Sequence, residues 1–438
     1  MQDRGSIGNA RIMGMQKELR LTSKQWSNCL SMFFVGYCVL MLPGNLLIRK
    51  IRPNRYIGTI ALTFGALVVV MSVAQNYGTV LALRMIIGAV QAFMQGGTMY
   101  ASLWYKRDEI ATRSAFIYWA ATLAGAFSGL IAYGVDVDLT TQATSKAPWR
   151  WLFIIEGSMG MVVGVIIWIL LPQVPDRLRQ RNWLFTSHEI ELAKARSASY
   201  NTIGSGIDPR QILKTFIDPK SWAFAMISAA IGGFGVNSLS LFLPTFVEAL
   251  GFSAERTQLF SVVPYACASV VVPICLVSDR LNVKGPFLLV VLSVASIGYI
   301  VLLCDVPVAG KITAACLVTS GVYPAVVLLN AWIVTNTAGY TKRATTWAMA
   351  EIFSPCFAIM SSYVYNTPPR FIKGHAIALG FMATGIAMVV FLMWWMNRAN
   401  KQRDAKLRDY AEIGMVHPHK TRSLEEEQDL HVDFRYIL

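Results

Sequence analysis

Residues 285–303 read GPFLLVVLSVASIGYIVLL, nineteen positions without one charged side chain. A helix rises 1.5 Å per residue, so about 20 apolar residues cross the hydrocarbon core of a bilayer. This stretch reads as such a span. Ten others share its character: 26–48, 56–75, 80–104, 113–134, 150–171, 222–248, 258–278, 311–335, 344–366 and 375–396. The polar remainder is short loops, apart from a central segment at 172–220 and a tail at 397–438.

Composition agrees with eleven spans. Of 438 residues, 55% are apolar and 15% are charged, against about 25% charged in soluble domains. Mean hydropathy is +0.47. The 12 Trp, 22 Phe and 19 Met exceed what a water-soluble globule of this length buries. Disorder and a collagen-like chain are excluded. The formal net charge of +14 would suggest nucleic acid in a soluble domain, but cytosolic loops of membrane proteins are themselves rich in Lys and Arg. The seven Cys show neither CxxC nor a metal-ligand spacing, so no disulfide framework, metal or cofactor is expected.

Loop charge orients the chain. With the tail inside, the inner loops hold 27 of the 39 Lys and Arg, so a cytosolic C-terminus is expected. Eleven spans then start the chain outside. The opening MQDRGSIGNA reads as the outer end of a first helix whose greater part is missing. The expected divisions are 1–171, 172–220 (cytosolic loop), 221–396 and 397–438 (cytosolic tail). With the first helix restored, this is an all-α membrane protein of two six-helix halves. Inside the central loop, Thr186-Ser187-His188-Glu189 reads as a capping box opening a short surface helix.

Some polar residues interrupt the apolar stretches. Arg84 lies four residues inside its span, where a guanidinium costs from about 2.5 kcal/mol upward unless it faces water or a partner. Gln91 and Gln95 follow by seven and eleven residues, two and three helical turns, on the same stripe. A cation followed by two amides suits a cavity wall that receives an anion. Snorkelling of Arg84 and amide bonds to neighbouring helices are the structural alternatives. Glu351 lies about two turns into its span and is a candidate proton carrier. Asp3 and Arg4 form an adjacent acid–base pair. Asn237, Tyr265 and Asn330 could line a midplane pocket. Gly232, Gly233 and Gly235, shortly before Asn237, are the best candidates for a gating bend. No Walker A motif and no nucleophile–base arrangement is present, so neither ATP-driven pumping nor an enzyme is expected.

Several motifs resemble one family. Asp3-Arg4-Gly5-Ser6-Ile7-Gly8-Asn9-Ala10 is similar to DRSNIGNA, and Arg84-xxx-Gly88 to R-x-x-x-G-x-x-E. Trp149 to Gly157 read WRWLFIIEG, and the tail carries Asp433-Phe434-Arg435-Tyr436. These resemble the fungal allantoate-permease branch of the anion:cation symporter family, within the major facilitator superfamily. The resemblance implies proton-coupled uptake of small carboxylates, with Asp3, Arg4 and Arg84 in carboxylate binding and proton coupling. The chain departs from the pattern at Gln91, where the family has an acid, and at Ile48, near the place of a loop aspartate.

The expected function is secondary transport of a small organic anion by alternating access, coupled to protons, in the plasma membrane. Arg84, Arg4, Gln91, Gln95, Asn237, Tyr265 and Asn330 would bind substrate, and Asp3 or Glu351 would carry the proton. A monomer in the lipid bilayer, with no nucleic-acid partner, is expected. Export of an organic acid or secondary metabolite, and a non-transporting sensor or inactive homologue, remain alternatives.

Overall fold

A computed structural model describes residues 2–47, 53–94, 100, 104–105, 107–139, 146–175, 178, 184–198, 209–338, 340–365, 370–412, 429, 431 and 434–438. The described elements are helical. In chain order they are α1 (Gln2–Ile12), α2 (Met15–Glu18), α3 (Ser23–Leu47), α4 (Pro53–Met71), α5 (Tyr77–Met94), α6 (Arg107–Asp138) and α7 (Pro148–Leu170). The central segment carries α8 (Ser187–Ala198) and α9 (Pro209–Ile217). Then come α10 (Pro219–Ser228), α11 (Ser238–Glu248), α12 (Ala254–Val271), α13 (Ile274–Arg280), α14 (Gly285–Leu303), α15 (Val308–Thr335), α16 (Tyr340–Val364) and α17 (Ile372–Glu412).

Among the described residues, nine helical stretches are long and apolar enough to cross a bilayer. The other two expected spans are also helices, α3 and α16, each of 25 residues. Their first turns, SKQWSN and YTKRATT, lower their hydropathy. The outward faces are apolar, which suits hydrocarbon and not water: on α7, Val162, Val163, Ile166, Trp168 and Ile169 are all exposed.

Between such helices there is little hydrophobic driving force, so close van der Waals packing holds them together. Glycine makes this possible where α4 meets α7. A Cβ on Gly65 would lie 2.6 Å from the Met161 nitrogen, and one on Gly157 would lie 2.7 Å from the Gly65 carbonyl oxygen. Backbone cannot yield as a side chain can, so these positions hold only glycine at this spacing.

The capping box at Thr186 forms as read. The Glu189 carboxylate accepts from the Thr186 amide at 2.8 Å and from its hydroxyl at 2.9 Å. Backbone and hydroxyl bonds from Thr186 hold the Glu189 carboxyl below its ordinary range.

The gating-bend candidate has a distinct backbone. Residues 229–237 form a π-helical stretch between α10 and α11, containing Gly232, Gly233 and Gly235. Such wide turns are frequent at functional sites.

The end of the chain folds back onto the helix ends nearest the central segment. The Tyr436 amide donates to Asn400 Oδ1 at 3.0 Å, and the Ile437 amide to Asn336 Oδ1 at 2.8 Å. Trp332 Nε1 donates to the Ile437 carbonyl at 2.8 Å, and the Lys284 amide to that of Leu438 at 2.7 Å. Beneath this strap the Asp429 carboxylate sits between two ammoniums. It accepts from Lys220 and, at 2.5 Å, from Lys342. Burial pushes the Asp429 carboxyl up, but the two lysines outweigh it and hold it down at about 2. Asp433, the first residue of the tail motif, lies outside the described residues.

Candidate functional site

A cavity of about 920 Å³ lies between helices from both sides of the central segment. Gln91 lines it from α5, Tyr118 from α6, Asn237 from the π-helical stretch, Asn330 from α15, and Glu351 and Ser354 from α16. Its volume falls in the range of small-molecule sites, and its apolar walls carry few polar groups.

Those polar groups are ordered by mutual bonds. The Asn330 amide donates to the Tyr118 hydroxyl at 2.9 Å, joining α15 to α6. The Asn237 amide donates to Ser354 Oγ at 3.3 Å, joining the π-helical stretch to α16. Gly232 allows the second contact, since a Cβ there would lie 2.1 Å from Ser354 Oγ. Glu351 is three residues before Ser354 and shares its helix face. An amide–hydroxyl–carboxyl strip therefore runs along one wall.

One end of the cavity is closed by helix contacts. Gly8 on α1 approaches α11 so closely that a Cβ would lie 2.9 Å from the Leu241 carbonyl oxygen. Gln258 on α12 donates to the Asn9 carbonyl at 3.4 Å, and the Tyr363 hydroxyl on α16 donates to Asn28 Oδ1 on α3 at 2.8 Å. The lining at the other end comes from Tyr100, Trp104, Leu171, Pro172 and Phe185, around the start of the central segment.

Of the residues expected at a site, Gln91, Asn237, Asn330 and Glu351 meet here. Arg84 and Tyr265 are not among the lining residues. Arg84 is buried at 2% exposure on α5, two turns before Gln91, with its guanidinium 5.7 Å from the centre of the Phe33 ring. It is buried rather than snorkelled. Gly88 builds this arrangement, because only a missing side chain lets α5 press on the Phe33 backbone; a Cβ there would lie 1.9 Å from the Phe33 oxygen. Tyr265 is buried where α6 meets α12, its ring against Gly125 and 5.9 Å from Tyr323. The side chains of Asp3 and Arg4, and residue Gln95, lie outside the described residues.

The WRWLFIIEG motif turns out to anchor helix ends. Trp149 Nε1 donates to Glu18 at 2.6 Å, and Arg150 reaches both Glu18 at 2.8 Å and the Ser72 carbonyl at 2.6 Å. Glu156 is buried deeper. It accepts from Ser6 on α1 and, at 2.8 Å, from Ser128 on α6, so one carboxylate gathers three helices. Sequence reading passed over Tyr118 and Ser354. Ser354 had a signal, one turn after Glu351. Tyr118 had none, since its partner Asn330 is 212 residues away.

The family model described as the Major Facilitator Superfamily matches residues 2–392. The chain belongs to the major facilitator superfamily. It is thus a multi-pass membrane transporter. An uncharacterised transporter of Schizosaccharomyces pombe is 30% identical over 404 residues, covering 91% of this chain and 82% of that one. A high-affinity nicotinic acid transporter of Saccharomyces cerevisiae is 28% identical over 450 residues, covering 99% and 80%. The proton:xylose symporter XylE, solved with 6-bromo-6-deoxy-D-glucose, superposes with a TM-score of 0.69 at 13% identity, covering 90% of this chain and 91% of that one. At that identity the likeness speaks for the fold alone.

Proposed function

We propose that this transporter carries a small monocarboxylate together with a proton, by alternating access of the central cavity. The observation that carries the reading is Glu351 in the cavity wall beside the amides of Gln91, Asn237 and Asn330. Ionised, Glu351 repels an anion in the same cavity; protonated, it does not. Proton and anion therefore favour each other's entry, which is the requirement for symport. The amides supply N–H donors to the carboxylate oxygens. The resemblance to the nicotinic acid transporter supports this substrate class.

Arg84 acts from behind the wall. Seven residues along α5 is about 10 Å. At an effective dielectric near 20, a unit charge there stabilises an anion beside Gln91 by about 1.5 kcal/mol. Arg4 is a second cationic partner and Asp3 a second proton carrier in this proposal. The moving units are 1–171 and 221–396, with the central loop and the tail cytosolic in the plasma membrane. The cavity then reaches toward the cytosol.

Uptake of radiolabelled nicotinate and a panel of monocarboxylates into proteoliposomes, at pH 5 and pH 7, tests this. Wild type takes up at least one of them faster at pH 5. Glu351→Gln loses the pH dependence, and Arg84→Met raises KM about tenfold, the equivalent of 1.4 kcal/mol. Uptake with unchanged pH dependence in Glu351→Gln would remove the carboxyl from the coupling mechanism.

A further inference from the structure

We propose that Cys38 and Cys356 form a peroxide-sensitive dithiol, whose oxidation to a disulfide locks α3 to α16. The two residues are 318 apart in sequence, before and after the central segment, yet their Sγ atoms lie 3.8 Å apart. Neither is engaged in a disulfide. A disulfide needs about 2.05 Å between the sulfurs, so rotation about the side-chain bonds with a small approach of the helices closes the gap. Pro355 eases that approach, because it has no N–H to give the helical ladder and leaves α16 free to bend at that point.

Position gives the bond its consequence. Tyr37 and Pro355, the immediate neighbours of the two cysteines, both line the central cavity, so this seam is part of its wall. The Asn28–Tyr363 contact lies further along the same seam, at the closed end of the cavity. A disulfide holds its Cβ atoms about 3.5–4.5 Å apart. That leaves almost no play between two helices that must shift against each other for the closed end of the cavity to open.

Access favours an oxidant dissolved in the bilayer. Cys356 is exposed and shares its outward stripe on α16 with Met360 and Tyr363, both also exposed. A lipid hydroperoxide is the fitting class. One cysteine sulfur attacks the outer peroxide oxygen, the O–O bond breaks, and an alcohol leaves with a sulfenic acid formed on that cysteine. The second thiol then attacks this sulfur, the S–O bond breaks, and water leaves as the disulfide forms. Two thiols lose two electrons and the peroxide gains two.

The inference rests on alternating access, so its test uses readouts that need no substrate. A protease site is inserted between Ala198 and Pro209 of the full chain in lipid nanodiscs, cumene hydroperoxide is added, and the loop is cut. On a non-reducing gel the two fragments stay joined, and dithiothreitol separates them. In Cys38→Ser and in Cys356→Ser they separate without reductant. Amide exchange in α3 and α16 of the joined protein slows about fivefold or more against the reduced protein. Wild-type fragments that separate, or either serine variant that stays joined, would overturn the site. Joined fragments with unchanged exchange would overturn the lock. Nicotinate uptake by the reduced protein reports separately on the proposed substrate.

Discussion

Replacing Asp429 by Asn removes the charge that two buried ammoniums share beneath the C-terminal strap. The Asp429 side chain is buried, and the Lys220 side chain is fully so. Holding the carboxyl at about 2 instead of the ordinary value near 3.9 corresponds to about 2.5 kcal/mol in favour of the docked tail. Breaking a buried pair at one partner costs about 3–5 kcal/mol by itself. Asp218 remains 2.9 Å from Lys342 and offsets part of that loss. The expected net cost is therefore about 3 kcal/mol, roughly 150-fold in the docking equilibrium. The readout is direct, because the Tyr436 and Ile437 amides are bonded only while the strap is docked onto Asn400 and Asn336. In Asp429→Asn their hydrogen exchange should rise about 100-fold, while amides of α14 stay unchanged. The same carboxyl sets the pH response. Its docked value is depressed, so its contribution is complete above about pH 4 and is lost as pH falls through about 2. Strap amides in the variant that exchange within about threefold of wild type would refute this electrostatic account of docking.

Gly88→Val forces a branched side chain onto the Phe33 backbone, where even a Cβ would lie 1.9 Å from the oxygen; a loss of about 3 kcal/mol or more should appear as a smaller monodisperse fraction on size exclusion. Asn330→Ala and Tyr118→Phe, alone and together, should show a coupling of about 1 kcal/mol in thermal unfolding, because each removes one side of the same 2.9 Å bond. Additive effects would mean that the bond does not join α6 to α15 in solution. Glu18→Gln leaves Trp149 its acceptor but takes the charge from Arg150; Glu18 is part-exposed, so the loss should be about 1 kcal/mol and should shrink in high salt.

Span positions and the overall helical architecture were legible in the chain because each is a local property. A run of apolar residues about 20 long has few alternatives to a membrane helix, whatever surrounds it. Gln91, Asn237, Asn330 and Glu351 were legible for a related reason: a polar side chain in an apolar run must find polar company, and the cavity provides it. Which company each residue found was decided by tertiary packing. Arg84 and Gln91 share a stripe of α5, yet Arg84 is buried with its guanidinium against the Phe33 ring while Gln91 lines the cavity. Glu156, one residue of the WRWLFIIEG motif, became the junction of α1, α6 and α7. Tyr118 met Asn330, and Cys38 met Cys356, across hundreds of residues. Periodicity along one helix says which side chains point the same way. Only the contact of one helix with another says whether that way is hydrocarbon, a neighbour or the cavity.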